Sequence, residues 1–208
     1  MPVLHRFLIV LVAGFAWIGA AILPASATDR ETAAANVIDA LIADVEVILA
    51  EQNPDAAARR DAVSRLLDTH FAMGTITAFS TGPYWRAATP QEREDYAVLF
   101  RDVLVGTVMS NFDLLNGLTY TPGTITPKGD RFVIVGGTFA DTTGTRAPVA
   151  VNWRVLTREG KPVQIFDIEV ENLSLLVTQQ QENIAVIRQN KGQFAALIAA
   201  MDTRLSNP

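Results

Sequence analysis

A chain of 208 residues, 49% of them hydrophobic and 19% charged, carries enough apolar mass for one well-filled core. Its formal charge of −5 argues against nucleic acid as a partner and against a direct hold on anionic lipid surfaces. With no cysteine in the chain, disulfides, thiol catalysis and lipid acylation at a cysteine are excluded.

The N-terminus has Arg6 with His5 beside it, then an apolar run from Phe7 to Leu23, then Pro24 and the tripeptide Ala25-Ser26-Ala27. This is the pattern of a Sec-type signal peptide with an A-x-A site, cut after Ala27 on export to the periplasm. The competing reading is an uncleaved membrane anchor, because the run approaches the roughly 18 to 20 residues that a spanning helix needs. Pro24 and the A-x-A site favour cleavage. Removing residues 1–27 takes away Arg6 and no acid, so the formal charge moves from −5 to one unit lower. Residues 28–208 contain no Pro/Ser/Gly-rich linker and no internal repeat, and are expected to form a single domain.

Helical spacing comes first. Val37, Ile38, Leu41, Ile42, Val45, Ile48 and Leu49 predict an amphipathic helix from about Asp29 to Glu51. Asn53 is placed to cap a second helix that has Pro54 at its first position and runs through Val63, Leu66 and Leu67. The segment from Phe71 to Phe79 reads as a short helix ending in the turn at Thr81-Gly82-Pro83. Thr89-Pro90-Gln91-Glu92 is a capping box, and the stripe from Tyr96 through Phe100, Val103, Val108 and Phe112 to Leu115 predicts the longest helix of the exported chain, stopped at Asn116-Gly117.

From Leu118 the period changes to two. Strands are expected near Leu118 to Thr126, Arg131 to Phe139, Pro148 to Thr157 and Val163 to Glu171, as an antiparallel meander. Apolar residues of both parities, Phe132 and Ile134 against Val133 and Val135, mark the second strand as covered on both faces. In the third, Val149, Val151, Trp153 and Val155 share one face while Asn152 and Arg154 share the other. In the fourth, the apolar parity changes between Ile165 and Phe166, which calls for a bulge there or cover on both faces. Beyond that point Phe166, Ile168 and Val170 are read on one face, with Asp167, Glu169 and Glu171 on the other. Ile184 and Ile187 indicate a helix to Asn190, and Phe194, Leu197, Ile198, Met201 and Leu205 a last one beyond Lys191-Gly192.

No reactive constellation emerges from this pattern. His70 is the single histidine after the leader, no G-x-S-x-G elbow exists, and Ser80, Ser110 and Ser174 lie in unrelated contexts, so His70 reads as a surface or capping residue. No Cys and no His pair are present to suggest a metal, and no cofactor is implied. Gly136-Gly137 sits inside a strand with no helix start after it, which fits close packing or a bend rather than a phosphate loop. Trp85, beside the turn, reads as core or lid packing. Trp153 lies on the apolar strand face between Val151 and Val155.

Two segments resemble the MlaC family of periplasmic phospholipid-binding proteins, also called the toluene-tolerance auxiliary family. In the first, the family's early Phe, Trp-Arg pair, Ala-Thr, Gln and next-helix Phe match Phe71, Trp85-Arg86, Ala88-Thr89, Gln91 and Phe100. In the second, its Val-x-Trp-x-Val, strand Asp, Val-Ser-Leu and late Gly match Val151, Trp153 and Val155, then Asp167, Leu173-Ser174-Leu175 and Gly192. The Gly that usually precedes Val-Ser-Leu is Asn172, a residue that still tolerates a left-handed backbone. The Arg and Phe usual in the following helix correspond to a Gln and Ile184, and a Tyr usual near Val108 is missing.

The resemblance implies an α+β domain with a twisted antiparallel sheet of about four strands wrapped by helices, nuclear-transport-factor-like, and an apolar pocket between sheet and helices. It implies a lipid carrier with a phospholipid ligand rather than an enzyme. Its expected partners are an inner-membrane ABC transporter complex with its substrate-binding subunit and an outer-membrane lipoprotein complex. The candidate lipid-binding residues are Phe71, Val133, Val135, Val149 and Val151, with Trp153, Val155, Ile168, Val170 and Leu175. Two other readings stay open: a hopanoid- or sterol-type ligand, and a small lipid-modifying enzyme using Asp167 as base. Against the latter, Asp167 is expected on the outer side with Glu169, holding an Arg or a backbone amide.

Overall fold

The computed structural model describes residues 27–51 and 55–206. The leader, all but its last residue, and the Asn53-Pro54 cap lie outside the described residues. Helix α1 (Ala27–Ala50) places Ala34, Ile38, Leu41 and Ile48 on one buried stripe, as their spacing requires. Each large aliphatic side chain removed from water in this way contributes about 2 kcal/mol, which is why a helix with so plain a sequence docks firmly. Helix α2 (Ala56–His70) buries Val63, Leu66 and Leu67 beside it. Helices α3 (Met73–Ser80) and α4 (Tyr84–Ala87) follow, the latter a single turn too short to show a period in sequence.

Helix α5 (Pro90–Asn111) starts on the capping box read from the sequence: Thr89 Oγ1 accepts from the Glu92 amide at 3.2 Å, and the Thr89 amide donates to Glu92 Oε2 at 2.8 Å. It is not the longest helix. At 22 residues it is shorter than α1 at 24, because the apolar stripe finishes in a 3-10 turn, Phe112–Leu115, before Gly117 turns the chain with φ of +74°.

The sheet is an antiparallel meander in the order β1 (Leu118–Lys128), β2 (Phe132–Asp141), β3 (Val149–Leu156), β4 (Gln164–Val170), β5 (Leu173–Ser174). The fifth strand, two residues long, adds to the four expected. Its turn, Glu171-Asn172, has positive φ at both residues (50° and 66°), the twist that a two-residue hairpin needs. Asn172 thus fills the left-handed position in place of glycine. Helix α6 (Leu175–Gln189) and helix α7 (Phe194–Ser206) close the chain.

Two hydrophobic clusters lie against opposite faces of this sheet. One joins α1, α2, Val105 and Phe112 to Val133, Val135, Val151, Trp153, Val155 and Ile165. The other joins α3, α5, α6 and α7 to Leu156, Phe166 and the partly buried Phe132. Val155 and Leu156, neighbours in sequence, belong to different clusters, which is the period-2 rule made physical.

The β2–β3 connection is organised by one carboxylate. Asp141 accepts from the hydroxyls of Thr143 and Thr145 and from the amides of Thr143, Thr145 and Arg146. These donors, the Thr145 hydroxyl foremost, hold its carboxyl well below the usual carboxylate range. A folded-state value depressed in this way stabilises the loop at every pH above the ordinary carboxylate value near 4, and the contribution is lost only as pH falls towards the depressed value. Amide exchange at Thr143, Thr145 and Arg146 should therefore stay slow through about pH 4 and rise only in stronger acid. In Asp141→Asn the same amides should exchange faster already at neutral pH.

Candidate functional site

The candidate site is the face of the sheet under α1. Cross-strand pairing sets Val133 beside Val155, Val135 beside Trp153, Trp153 beside Ile168 and Val151 beside Val170. The register shift between Arg154 and Val155 leaves Phe166 unpaired, so the parity change in the sequence is a β-bulge. The bulge returns Ile168 and Val170 to the face that Ile165 occupies. Phe166 itself does not share that face, contrary to the sequence expectation. It packs edge-on against Phe79 and beside Phe132 in the second cluster, because the extra residue reverses its direction.

Of the ten candidate residues, Val133, Val135, Val151, Trp153 and Val155 are buried together on this face, and Phe71, Ile168 and Val170 pack against them partly buried. Val149 lies at the open end of the same strand face, 37% exposed. Leu175 stands apart. It is 51% exposed at the first position of α6 and belongs to neither cluster, since the helix that starts there turns Leu176 inwards instead. Residues not singled out as lining also face this wall: Ile38 and Leu41 from α1, Val105 from α5, Phe112 from the 3-10 turn after it, and Tyr120 from β1. Tyr120 sits opposite Phe139 in the register, where period-2 parity extended to the first strand would place it.

The wall carries polar atoms that satisfy one another. Trp153 Nε1 donates to the Tyr120 hydroxyl at 3.1 Å, and that hydroxyl donates to Gly136 O at 3.3 Å. Burial, foremost, raises the Tyr120 pKa above its ordinary value, with Asp39 on α1 adding to the rise and the Trp153 bond opposing it. The phenol stays neutral at physiological pH. The Tyr120 ring rests on Gly137, where any Cβ would collide with it, so the Gly-Gly pair serves close packing as its position inside a strand suggested.

Asp167 lies on the opposite face. It pairs with Arg154 across the sheet and is buried, whereas an outer-side carboxylate would have been expected to remain exposed. Helix α6 covers it: Asp167 accepts from the Ser174 hydroxyl at 2.6 Å and from the Leu176 amide at 3.0 Å, with Arg154 Nη1 at 3.5 Å. An Arg and a backbone amide do hold it, and its oxygens are turned away from the apolar wall.

His70 is likewise not a surface residue. It is buried at the end of α2, with Nε2 2.6 Å from Asp44 Oδ2 on α1. The two residues are distant in sequence and meet only because α1 and α2 pack side by side. Ser80, the Tyr96 hydroxyl and Asn183 form a second buried group that joins α3, α5 and α6. Burial holds the Tyr96 phenol well above its ordinary pKa, so this group is neutral too. Trp85, partly buried, packs edge-on to Tyr96 beneath Arg93 and against the second cluster. Among the described residues no group of three His, Cys, Asp or Glu side chains is placed to hold a metal, and no helix is long and apolar enough to cross a membrane.

These features define a class: an α+β domain in which helices wrap an antiparallel meander and one apolar sheet face is roofed mainly by a single helix. The chain belongs to the MlaC protein family, whose model matches residues 35–203. The resemblance carried by Phe71, Trp85-Arg86, Val151, Trp153, Asp167 and Leu173-Ser174-Leu175 is therefore one of family. Among solved structures, the chain is similar to a phospholipid-binding protein from Ralstonia solanacearum determined in complex with a phospholipid. The TM-score is 0.67 and the sequence identity 19%, over 85% of this chain and 97% of the other. At that identity the likeness is one of fold.

Proposed function

We propose that this protein is a periplasmic lipid carrier that holds phospholipid acyl chains between α1 and the apolar wall and shuttles lipid between an outer-membrane lipoprotein complex and an inner-membrane ABC transporter complex with its substrate-binding subunit. The observation that carries the reading is the wall: a continuous apolar face whose polar atoms are mutually satisfied, in a MlaC-family chain whose fold is shared with a protein solved with phospholipid bound. Two acyl chains of about thirty methylenes, at roughly 0.8 kcal/mol each, gain on the order of 20 kcal/mol of gross transfer free energy from such a face before ordering costs. No proton transfer or nucleophile is asked of the protein. Asp167, the carboxylate an isomerase would need, faces away from the wall and is engaged by α6.

Val133, Val155 and Ile165 have no exposed surface, so loading requires α1 and the sheet to part. Outside its apolar stripe, α1 is tied by Arg30 to Thr157, Gly129 and Phe132 and by Asp44 to His70. Both ties are short-range and partly exposed to water, and can reform after the helix has moved. Native mass spectrometry on protein purified from the periplasm tests the reading. Mature protein starting at Thr28 with intact phospholipid bound is expected. A chemically altered lipid would return the enzyme reading, a hopanoid would change the ligand class, and protein empty of lipid would sink the carrier.

A further inference from the structure

Helix α1 is held unevenly along its length. Over residues 29–36 the one buried side chain is Ala34, whereas further on Ile38, Leu41 and Ile48 are buried and Val45 and Leu49 pack against the same cluster. A methyl group removes far less apolar surface from water than an isoleucine or leucine side chain, so the apolar hold on the first two turns is slight. The packing there is loose as well: a cavity of about 550 Å³ lies between Arg30 and Ala33 on α1 and the chain at Arg131, Thr157 and Val163.

What ties these turns to the sheet is Arg30. Its Nε and Nη2 donate to Thr157 Oγ1 at 3.1 and 2.9 Å, Nη1 donates to Gly129 O at 3.2 Å, and Nη2 also donates to Phe132 O at 3.4 Å. One guanidinium thus engages the β1–β2 turn, the start of β2 and the residue after β3. A charged planar fork makes stronger bonds than a neutral donor, yet Arg30 is only half-buried, so water can take over its donors when the contacts part. The other end of α1 differs. Asp44 meets His70 of α2 rather than the sheet, and α2 is itself fixed to α5 by the pairs Arg60–Asp102 and Arg101–Asp68. The half of α1 with large aliphatic side chains is seated on a fixed neighbour, and the half with Ala34 depends on one side chain.

We propose that residues 29–36 of α1 form a gate over the lipid wall, latched by Arg30, and that release of this latch sets the rate at which lipid enters and leaves. The inference rests on the carrier reading above and adds to it how the closed wall opens. Val133 adjoins Phe132, and Val155 lies two residues before Thr157. These two wall residues have no exposed surface, and as the ones nearest the latch they are the first to be uncovered.

The test mixes delipidated mature protein with phosphatidylglycerol vesicles that carry a phospholipid with pyrene on one acyl chain, and follows loading as loss of excimer emission. Arg30→Ala should load about tenfold faster than wild type, the factor expected when a charged hydrogen-bonding group is removed. Thr157→Val, which keeps the shape and removes the shared acceptor, should load about threefold faster. Asp44→Asn, which loosens α1 at its other end, should stay within about twofold of wild type. Because the chain has no cysteine, a bis-maleimide can join Arg30→Cys to Arg131→Cys across the cavity. The joined protein should load about tenfold more slowly than the same protein unjoined. Thermal midpoints show that each variant is folded, and if Arg30→Ala fails that check, Thr157→Val and the joined pair decide. Variants and joined protein that load at the wild-type rate overturn the gate and leave the carrier standing. Asp44→Asn loading as fast as Arg30→Ala puts the opening at the other end of α1 and overturns the latch. Wild type that takes up no lipid overturns the carrier, and the gate with it.

Discussion

Val151→Glu is expected to leave the protein without bound lipid and to lower its thermal midpoint by about 10 °C, while Asn152→Glu keeps its lipid and shifts the midpoint by about 2 °C or less. The two positions are adjacent, and the pleat separates them. Val151 is buried under α1, where a carboxylate loses its hydration and finds no cation. Asn152 is half-buried on the other face, opposite Glu169, where a second carboxylate adds only the modest repulsion of a cross-strand like pair. Because the wall is closed in the empty protein, folding suffers as well as loading. Val151→Thr separates the two effects: it keeps the volume, places a hydroxyl in the chain path, and should reduce lipid per folded molecule several-fold with a smaller loss of stability. Equal lipid retention in the Val151 and Asn152 variants would put the ligand on the other face of the sheet.

Asp167→Ala should destabilise the protein by about 3 kcal/mol, and Asp167→Asn by about 1 kcal/mol, as read by denaturant midpoints. Alanine removes the acceptor for the Ser174 hydroxyl and the Leu176 amide and leaves Arg154 with Glu169, 3.7 Å away, as its carboxylate partner and with the Phe132 ring beneath it. Arg154 is partly exposed and recovers some hydration, which keeps the cost below that of a fully buried orphan. Asparagine retains an oxygen for the Leu176 amide. In both variants the bound lipid should be chemically the same as in wild type. A lipid that differs between wild type and Asp167→Asn would show that the carboxylate does chemistry.

The parts of the site that rest on local rules are legible in the amino-acid sequence. Alternation alone puts Val149, Val151, Trp153 and Val155 on one face, and the parity break at Ile165-Phe166 is a bulge. The Thr89 capping box follows from the chemistry of single residues, and the left-handed Asn172 from the resemblance, which puts it where the family usually has Gly. What local rules miss is set by packing between distant elements. The burial of His70 depends on Asp44, and the burial of Asp167 depends on where α6 lands, neither of which a period can show. Parity misdirects Phe166 because a count of alternating residues does not say which residue of a bulge is the extra one. Leu175, a candidate through the resemblance, lies outside both clusters because the apolar run crossing from strand to helix changes its period at the first helical residue. The roof residues Ile38 and Leu41 are visible as a stripe, but the surface that stripe meets is not.

The central claim is that acyl chains lie between α1 and the wall, and photo-crosslinking tests it most directly. Mature protein loaded with a phospholipid bearing a diazirine midway along one acyl chain is irradiated, digested and mapped by mass spectrometry. Labels are expected on the β2 and β3 peptides holding Val133, Val135, Val151 and Trp153 and on the α1 peptide holding Ile38 and Leu41. Labels confined to peptides of the second cluster, around Phe166, Leu176 and Leu197, would contradict the claim.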